Sequence, residues 1–240
     1  MICLIRPPAV ESFRFATTSI NLPLGLAYIC STLQTAKREV CILDAVGEGA
    51  KVRTAYFKGY LVGLRLEDLA ARIPPNAKFV GITVIFTHEW PAVVRLVELI
   101  KQRRPELPVI LGGEHVTSMS EFCLMSSKAD YLVMGEGEFV MSDLMYAIEN
   151  DTDRKNINGI AYYDNDQLII NSAAPAPTDL DSLPYPDYEG FEFDYKLDNF
   201  PVRDQTTIHP ENPRQVGIIS SRGCPAKCTF CYLIAGDNVR

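Results

Sequence analysis

The chain has no run of basic residues that could follow a phosphate backbone, so nucleic acid is not an expected partner. Long apolar runs are missing as well. The first, Met1 to Ile5, stops at Arg6 and Pro7, far short of a signal-peptide core or of the roughly 20 residues that span a bilayer. A cytoplasmic protein with no membrane span is expected. No internal repeat occurs. Disulfide pairing is not expected either, because the seven cysteines are odd in number. Four of them, Cys3, Cys30, Cys41 and Cys123, are scattered through apolar segments where a free thiol packs as a small hydrophobe.

What is present suffices for a globular protein: 240 residues, 47% of them hydrophobic, with 23 Lys plus Arg against 30 Asp plus Glu for a net charge of -7. Short β-rich runs alternate with helical periods. MICLI, VCILDA, FVGITVIF, VILGG and YLVMGEGE read as strands. LGLAYICSTLQTAKR, EDLAARI, HEWPAVVRLVELIKQRR and FVMSDLMYAIEN read as the helices between and after them. Trp90, Val93, Val94, Val97 and Ile100 share one helix face and are expected in the core. The alternation predicts an α/β fold with a doubly wound, Rossmann-like parallel sheet over residues 1–150. Residues 158–172 read as a hairpin turning at Asp164, Asn165 and Asp166, placed between two domains. It opens a connecting stretch over 151–214 whose part from Ala173 to Pro213, rich in Pro, Asp and aromatics, reads as an irregular linker. A new apolar strand starts at Gln215 and runs into SSRGCPAKCTFCY, so residues 215–240 read as the start of a second domain.

Cys224, Cys228 and Cys231 are spaced to converge on one small inorganic centre. A [4Fe–4S] cluster filled from protein takes four cysteines, and three leave one iron open for a reactant. The alternative is zinc, but a closed structural site wants four ligands and only His209 lies near. The C-x-x-x-C-x-x-C loop after a strand, with Phe230 before its last cysteine, resembles the radical S-adenosylmethionine superfamily. That resemblance implies that Cys224, Cys228 and Cys231 hold the cluster, with Phe230 and Tyr232 near the cofactor. It further implies that the open iron binds S-adenosylmethionine, whose reductive cleavage gives a 5′-deoxyadenosyl radical.

Ligands of open parallel sheets bind beyond the carboxyl ends of the strands. Thr83, Gly112-Gly113-Glu114-His115 and Gly135-Glu136-Gly137-Glu138 all fall there. Glycines at such turns let the backbone approach a large ligand, yet neither turn carries a G-x-G-x-x-G fingerprint, and each alone is compatible with a plain tight turn. His115 reads either as a ligand contact or as structural, and His88 as structural. Glu136 and Glu138 either accept hydrogen bonds from a ligand's amides or answer the helix dipole, the latter being the expectation for Glu138.

Together with NLPLGLAYICSTL and the cysteine loop, these turns resemble the cobalamin-binding domain of B12-dependent radical S-adenosylmethionine enzymes. Thr83, Gly112, Gly113, His115, Gly135, Glu136, Gly137 and Phe230 are then the expected cofactor-binding residues. The D-x-H-x-x-G pattern that puts a histidine on cobalt is missing, since Asp44 is followed at the second position by Val46. Cobalamin is therefore expected to bind without that histidine. The resemblance implies methyl transfer, ring formation or rearrangement on a small-molecule substrate, with a reducing protein as electron donor. A TIM-type barrel takes on the order of 200 residues and few follow Gln215, so the chain is expected to be a fragment that is inactive alone. The competing readings are a cobalamin carrier or sensor without catalysis, and a Rossmann-like domain with a structural zinc loop.

Overall fold

The computed structural model describes residues 1–12, 22–192, 219–224, 226 and 228. Its elements follow one another as β1 (Ile2–Arg6), β2 (Ala9–Ser12), α1 (Leu24–Thr35), β3 (Val40–Asp44), α2 (Ala45–Glu48), β4 (Arg53–Tyr56) and β5 (Gly59–Val62). There follow α3 (Leu66–Arg72), β6 (Phe79–Thr83), α4 (Trp90–Arg103), β7 (Val109–Gly112), α5 (Glu114–Ser118), α6 (Ser120–Ser126), β8 (Tyr131–Val133), α7 (Glu138–Glu149), β9 (Ile160–Asp164) and β10 (Gln167–Ile170).

The main sheet has seven strands in the order β10-β9-β8-β7-β6-β1-β3, and the pairs from β3 to β8 are parallel. Numbered along the chain, its parallel strands run 2-1-3-4-5, and the order reverses between β1 and β6, the place where doubly wound sheets open a ligand crevice. The expected α/β doubly wound fold is therefore the one observed. The strand expected at Gln215, and with it any barrel, lies outside the described residues.

Strands buried on both faces read as continuous apolar runs, and alternate residues serve opposite layers. In β1, Ile2 and Leu4 face α1 and α7, packing with Leu26, Leu33 and Leu144. Cys3 and Ile5 face the other layer, where α3 and α4 supply Leu69, Val93, Leu96 and Ile100. The expected α4 face is buried at Trp90, Val93, Val97 and Ile100 and partly buried at Val94. Its helix starts where Pro91, which needs no N–H partner, occupies the first turn. Cys3, Cys30 and Cys123 are buried free thiols, and Cys41 is half-buried and also free.

Two features differ from the sequence reading. The sequence reading sets the hairpin of β9 and β10 after the doubly wound domain, whereas β9 pairs antiparallel with β8 and continues the main sheet. Its turn is narrower than expected, since Asp164 closes β9 and only Asn165 and Asp166 adopt positive φ, +49° and +64°, as a type I′ turn requires. The sequence reading names no strands at residues 9–12, 53–56 and 59–62, where β2, β4 and β5 form a second, antiparallel sheet in the order β2-β5-β4. Among the described residues, no helix is long and apolar enough to cross a membrane.

Leu132 is fully buried on β8 between two neighbouring strands. Leu132→Ala is expected to cost about 2–5 kcal/mol in urea unfolding with an unchanged m-value. Phe57→Ala, at an exposed turn, is expected to cost less than about 0.5 kcal/mol. Equal losses at the two positions would contradict the layered core.

Candidate functional site

A cleft of about 380 Å³ opens at the carboxyl ends of β6, β7 and β8. A second cavity of about 310 Å³ adjoins it and shares Gly25, Leu26, Thr83, Gly113, Glu114 and Gly135 with it. The floor of the first is apolar, formed by Leu26, Ile29, Ile110, Val133 and Met141. Its rim combines the glycine turns with Glu114, Glu136, Glu138 and Arg222.

The two glycine turns have different reasons to be glycine. Gly113 sits at φ +110° and ψ -178°, where other residues are strained, and a Cβ there would lie 2.6 Å from the Val84 carbonyl oxygen. The turns after β6 and β7 are locked at this separation: the Val84 N–H donates to Gly112 O at 2.7 Å, and the His115 N–H donates to Val84 O at 3.2 Å. Gly135, at φ +75°, has nothing within 4 Å of where its Cβ would point. Thr117 ties these turns together, its hydroxyl donating to Gly113 O at 3.0 Å and accepting from the Gly135 N–H at 2.9 Å.

The opposite wall is the start of α1, where a Cβ on Gly25 would also meet nothing within 4 Å. The segment Ile219–Gly223 borders the cleft through Ile219, Ser221, Arg222 and Gly223. Arg222 reaches two carboxylates at once, Nη1 to Glu136 Oε2 and Nη2 to Glu138 Oε1, each 2.7 Å. Its guanidinium carbon lies 4.9 Å from the centre of the Tyr28 ring. Burial disfavours the guanidinium's charge, but the hydrogen bonds and charges of Glu138 and then Glu136 outweigh it and raise its pKa. Glu114 lines the cleft with its carboxyl pKa raised by desolvation.

Of the residues singled out in the sequence, Thr83, Gly112, Gly113, Gly135, Glu136 and Gly137 meet in this one cleft, and Glu138 joins them. His115 falls apart from them. It is buried behind the Gly113 turn, its Nδ1 3.1 Å from Thr87 Oγ1 and its ring 5.1 Å from Trp90, while Nε2 has no hydrogen-bond partner. His88 stacks on Phe86. Among the described residues no histidine lines the cleft. Asp44 caps α2 by accepting from the Gly47 N–H at 3.0 Å, and Val46 beside it is buried, so this segment offers the cleft no imidazole. Cys224 is half-buried and Cys228 exposed; Cys231, Phe230, Tyr232 and His209 lie outside the described residues. Sequence reasoning missed Thr117, two positions past His115, and Arg222, in the S-R-G-C run ahead of Cys224. It also missed the α1 wall of Gly25 and Tyr28, whose role depends on which strands α1 ends up beside.

A parallel sheet reversed at β1/β6, with glycine-rimmed strand ends over an apolar floor, defines a doubly wound domain with an open cleft at its carboxyl edge, where sheets of this kind take their ligands. Residues 16–145 match the B12 binding domain, and the chain belongs to that family. It is 27% identical over 234 residues to an uncharacterized methyltransferase of Pyrococcus horikoshii, covering 96% of this chain and 44% of the relative. It is 26% identical to the cytidylyl-2-hydroxyethylphosphonate methyltransferase of Streptomyces wedmorensis, covering 95% of this chain and 47% of the relative. The chain thus spans about half the length of these relatives. Its fold resembles that of the cobalamin-dependent S-adenosylmethionine radical enzyme OxsB, solved with aqua-cobalamin and S-adenosylmethionine bound. The TM-score is 0.67 at 19% identity, over 96% of this chain and 28% of that one.

The cleft fits a corrinoid on its own chemistry. A flat macrocycle fringed with amides suits an apolar floor ringed by backbone groups, with Gly25 and Gly135 leaving space where side chains would stand.

Burial lowers the pKa of His115 below its ordinary 6.5. The unfolded chain therefore takes up this proton at a higher pH than the folded chain, and acidification through 6.5 favours unfolding. Stability should fall below pH 6.5 by at most about 1.4 kcal/mol per pH unit from this group. Glu89 and Glu114, both raised by burial, act with the opposite sign, so the readout is the difference from His115→Asn. Urea unfolding at pH 7.5 and 5.5 should show a smaller acid loss in the variant. An identical loss would contradict a buried neutral imidazole.

Proposed function

We propose that this chain is the N-terminal part of a cobalamin-dependent radical S-adenosylmethionine enzyme. In this reading Gly112, Gly113, Gly135, Gly137 and the start of α1 hold cobalamin, and Cys224, Cys228 and Cys231 hold a [4Fe–4S] cluster. The observation that carries the reading is the glycine-rimmed cleft at the strand ends, inside the stretch that matches the B12 binding domain. When bound, cobalamin supplies a methyl carrier, and the cluster with S-adenosylmethionine supplies radical chemistry.

The chain's own residues supply position and shielding. Backbone groups at the two glycine turns approach the corrin amides, and Thr117 fixes the spacing between those turns. Leu26, Ile29, Val133 and Met141 keep water from the floor. Among the described residues no histidine lines the cleft, so neither His88 nor His115 would reach the metal of a corrinoid held there. Methyl transfer to an unreactive carbon or phosphorus of a small-molecule substrate is the favoured reaction, in keeping with the methyltransferases among the relatives. Ring formation or rearrangement is the other outcome the same cofactors allow. We place the protein in the cytoplasm, where its buried thiols stay reduced and a reducing partner protein feeds the cluster.

Hydroxocobalamin titrated into the chain should give saturable absorbance changes at one per chain. Gly25→Phe, at a position with free space, should keep the melting temperature but weaken uptake about 10-fold or more. No uptake by the wild-type chain would sink the cobalamin half of the proposal. Anoxic reconstitution with iron and sulfide should give a brown chain with about four irons, and Cys224→Ala should abolish the colour. A colourless chain, or one holding zinc without sulfide, would sink the cluster half.

A further inference from the structure

Arg222 stands two residues before the first cysteine of the loop, yet its partners all belong to the α/β domain. Glu136 lies in the glycine turn after β8, Glu138 in the first turn of α7, and Tyr28 on α1. One guanidinium thus touches both walls of the cleft. Its contacts are largely out of solvent: the side chains of Arg222, Glu136 and Glu138 are 16%, 14% and 7% exposed. Two carboxylates this close repel unless a cation lies between them, and only a planar fork meets both while stacking on a ring. Ile219, Ser221 and Gly223 border the same cleft, so the backbone on either side of the clasp forms part of its lining.

We propose that Arg222 is a positioning residue that clasps the segment leading into Cys224 onto the rim of the cofactor cleft, linking occupancy of the cleft to the placement of the cysteine loop. The inference rests on the cobalamin reading above for what fills the cleft, but the clasp itself does not. The physical content is a coupling between two sites. A ligand that packs under Ile219–Gly223 contacts that segment only while the clasp is closed, and its binding reciprocally adds to the stability that the Arg222 contacts already give the closed clasp. Among the described residues the partners of Arg222 are Glu136, Glu138 and Tyr28, so its effect on chemistry would run through the geometry of the segment it holds.

Hydrogen exchange followed by mass spectrometry, on the full 240-residue chain with and without hydroxocobalamin, reads the clasp directly. Without cofactor, the amides of Ile219–Cys224 should exchange about 10-fold faster in Arg222→Met than in the wild type, while β6 and β7 stay unchanged. Arg222→Lys, which keeps one ion pair, and Glu138→Gln, which leaves Arg222 intact, should fall between. With hydroxocobalamin, exchange in this segment should slow further in the wild type and not in Arg222→Met, and the cofactor should leave that variant about 10-fold faster. Equal exchange of the segment in wild type and Arg222→Met overturns the clasp. Clasp protection that hydroxocobalamin binding leaves unchanged overturns the linkage alone. A wild-type chain that takes up no hydroxocobalamin overturns the cobalamin reading and the linkage with it, and the cofactor-free comparison still decides the clasp.

Discussion

The cleft depends on how closely the backbones of neighbouring turns approach one another. Gly113 lies against the Val84 carbonyl at a distance that no Cβ tolerates, which draws the ends of β6 and β7 together. Thr117 then passes that constraint on to the turn after β8, accepting from one glycine and donating to the other. Because the groups that the Thr117 hydroxyl engages are backbone atoms at strand ends, the rim inherits the rigidity of the parallel sheet behind it, and the sheet's two buried layers leave the rim little freedom to move. Space for a large flat ligand follows from positions that lack side chains, Gly25 on one wall and Gly135 on the other.

The same geometry separates two kinds of residue that look alike in the sequence. Gly113 serves the fold, since a side chain there clashes with backbone, whereas Gly135 leaves room at the cleft. His115, at a strand end beside two glycines, is turned away from the cleft and packed against Trp90. Glu138, for which dipole compensation sufficed as an explanation, shares Arg222 with Glu136. The unpaired Nε2 of His115 also fits a neutral ring, because one unmet polar atom costs less than a buried, uncompensated charge.

Much of the α/β domain was legible because its signals are local and periodic: continuous apolar strands, helices of 3.6 periodicity and glycines at the strand ends. What was not legible depends on contacts distant in sequence. The small sheet pairs β2 with β5, some 50 residues later, in strands of four residues, and its hairpin turns at Phe57, which carries a positive φ without being Gly or Asn. The β9–β10 hairpin was recognised from its Asn165-Asp166 turn, but its docking on β8 is a pairing the turn does not encode. The cleft's strand-end residues were found from sequence, while Arg222 and Tyr28 belong to it only because the chain returns to α1 after some 190 residues. The Cys224, Cys228 and Cys231 motif remained a sequence signal, since Cys231 lies outside the described residues.

The central proposal is that the glycine-rimmed strand ends would hold a corrinoid, with His88 and His115 away from its metal. A crystal structure of the chain grown with hydroxocobalamin measures this most directly. The account predicts corrin density against Gly112–Gly113, Gly135–Gly137 and the first turn of α1, with His88 and His115 both remote from cobalt. A corrin seated elsewhere on the molecule, or His88 or His115 bound to cobalt, would contradict it.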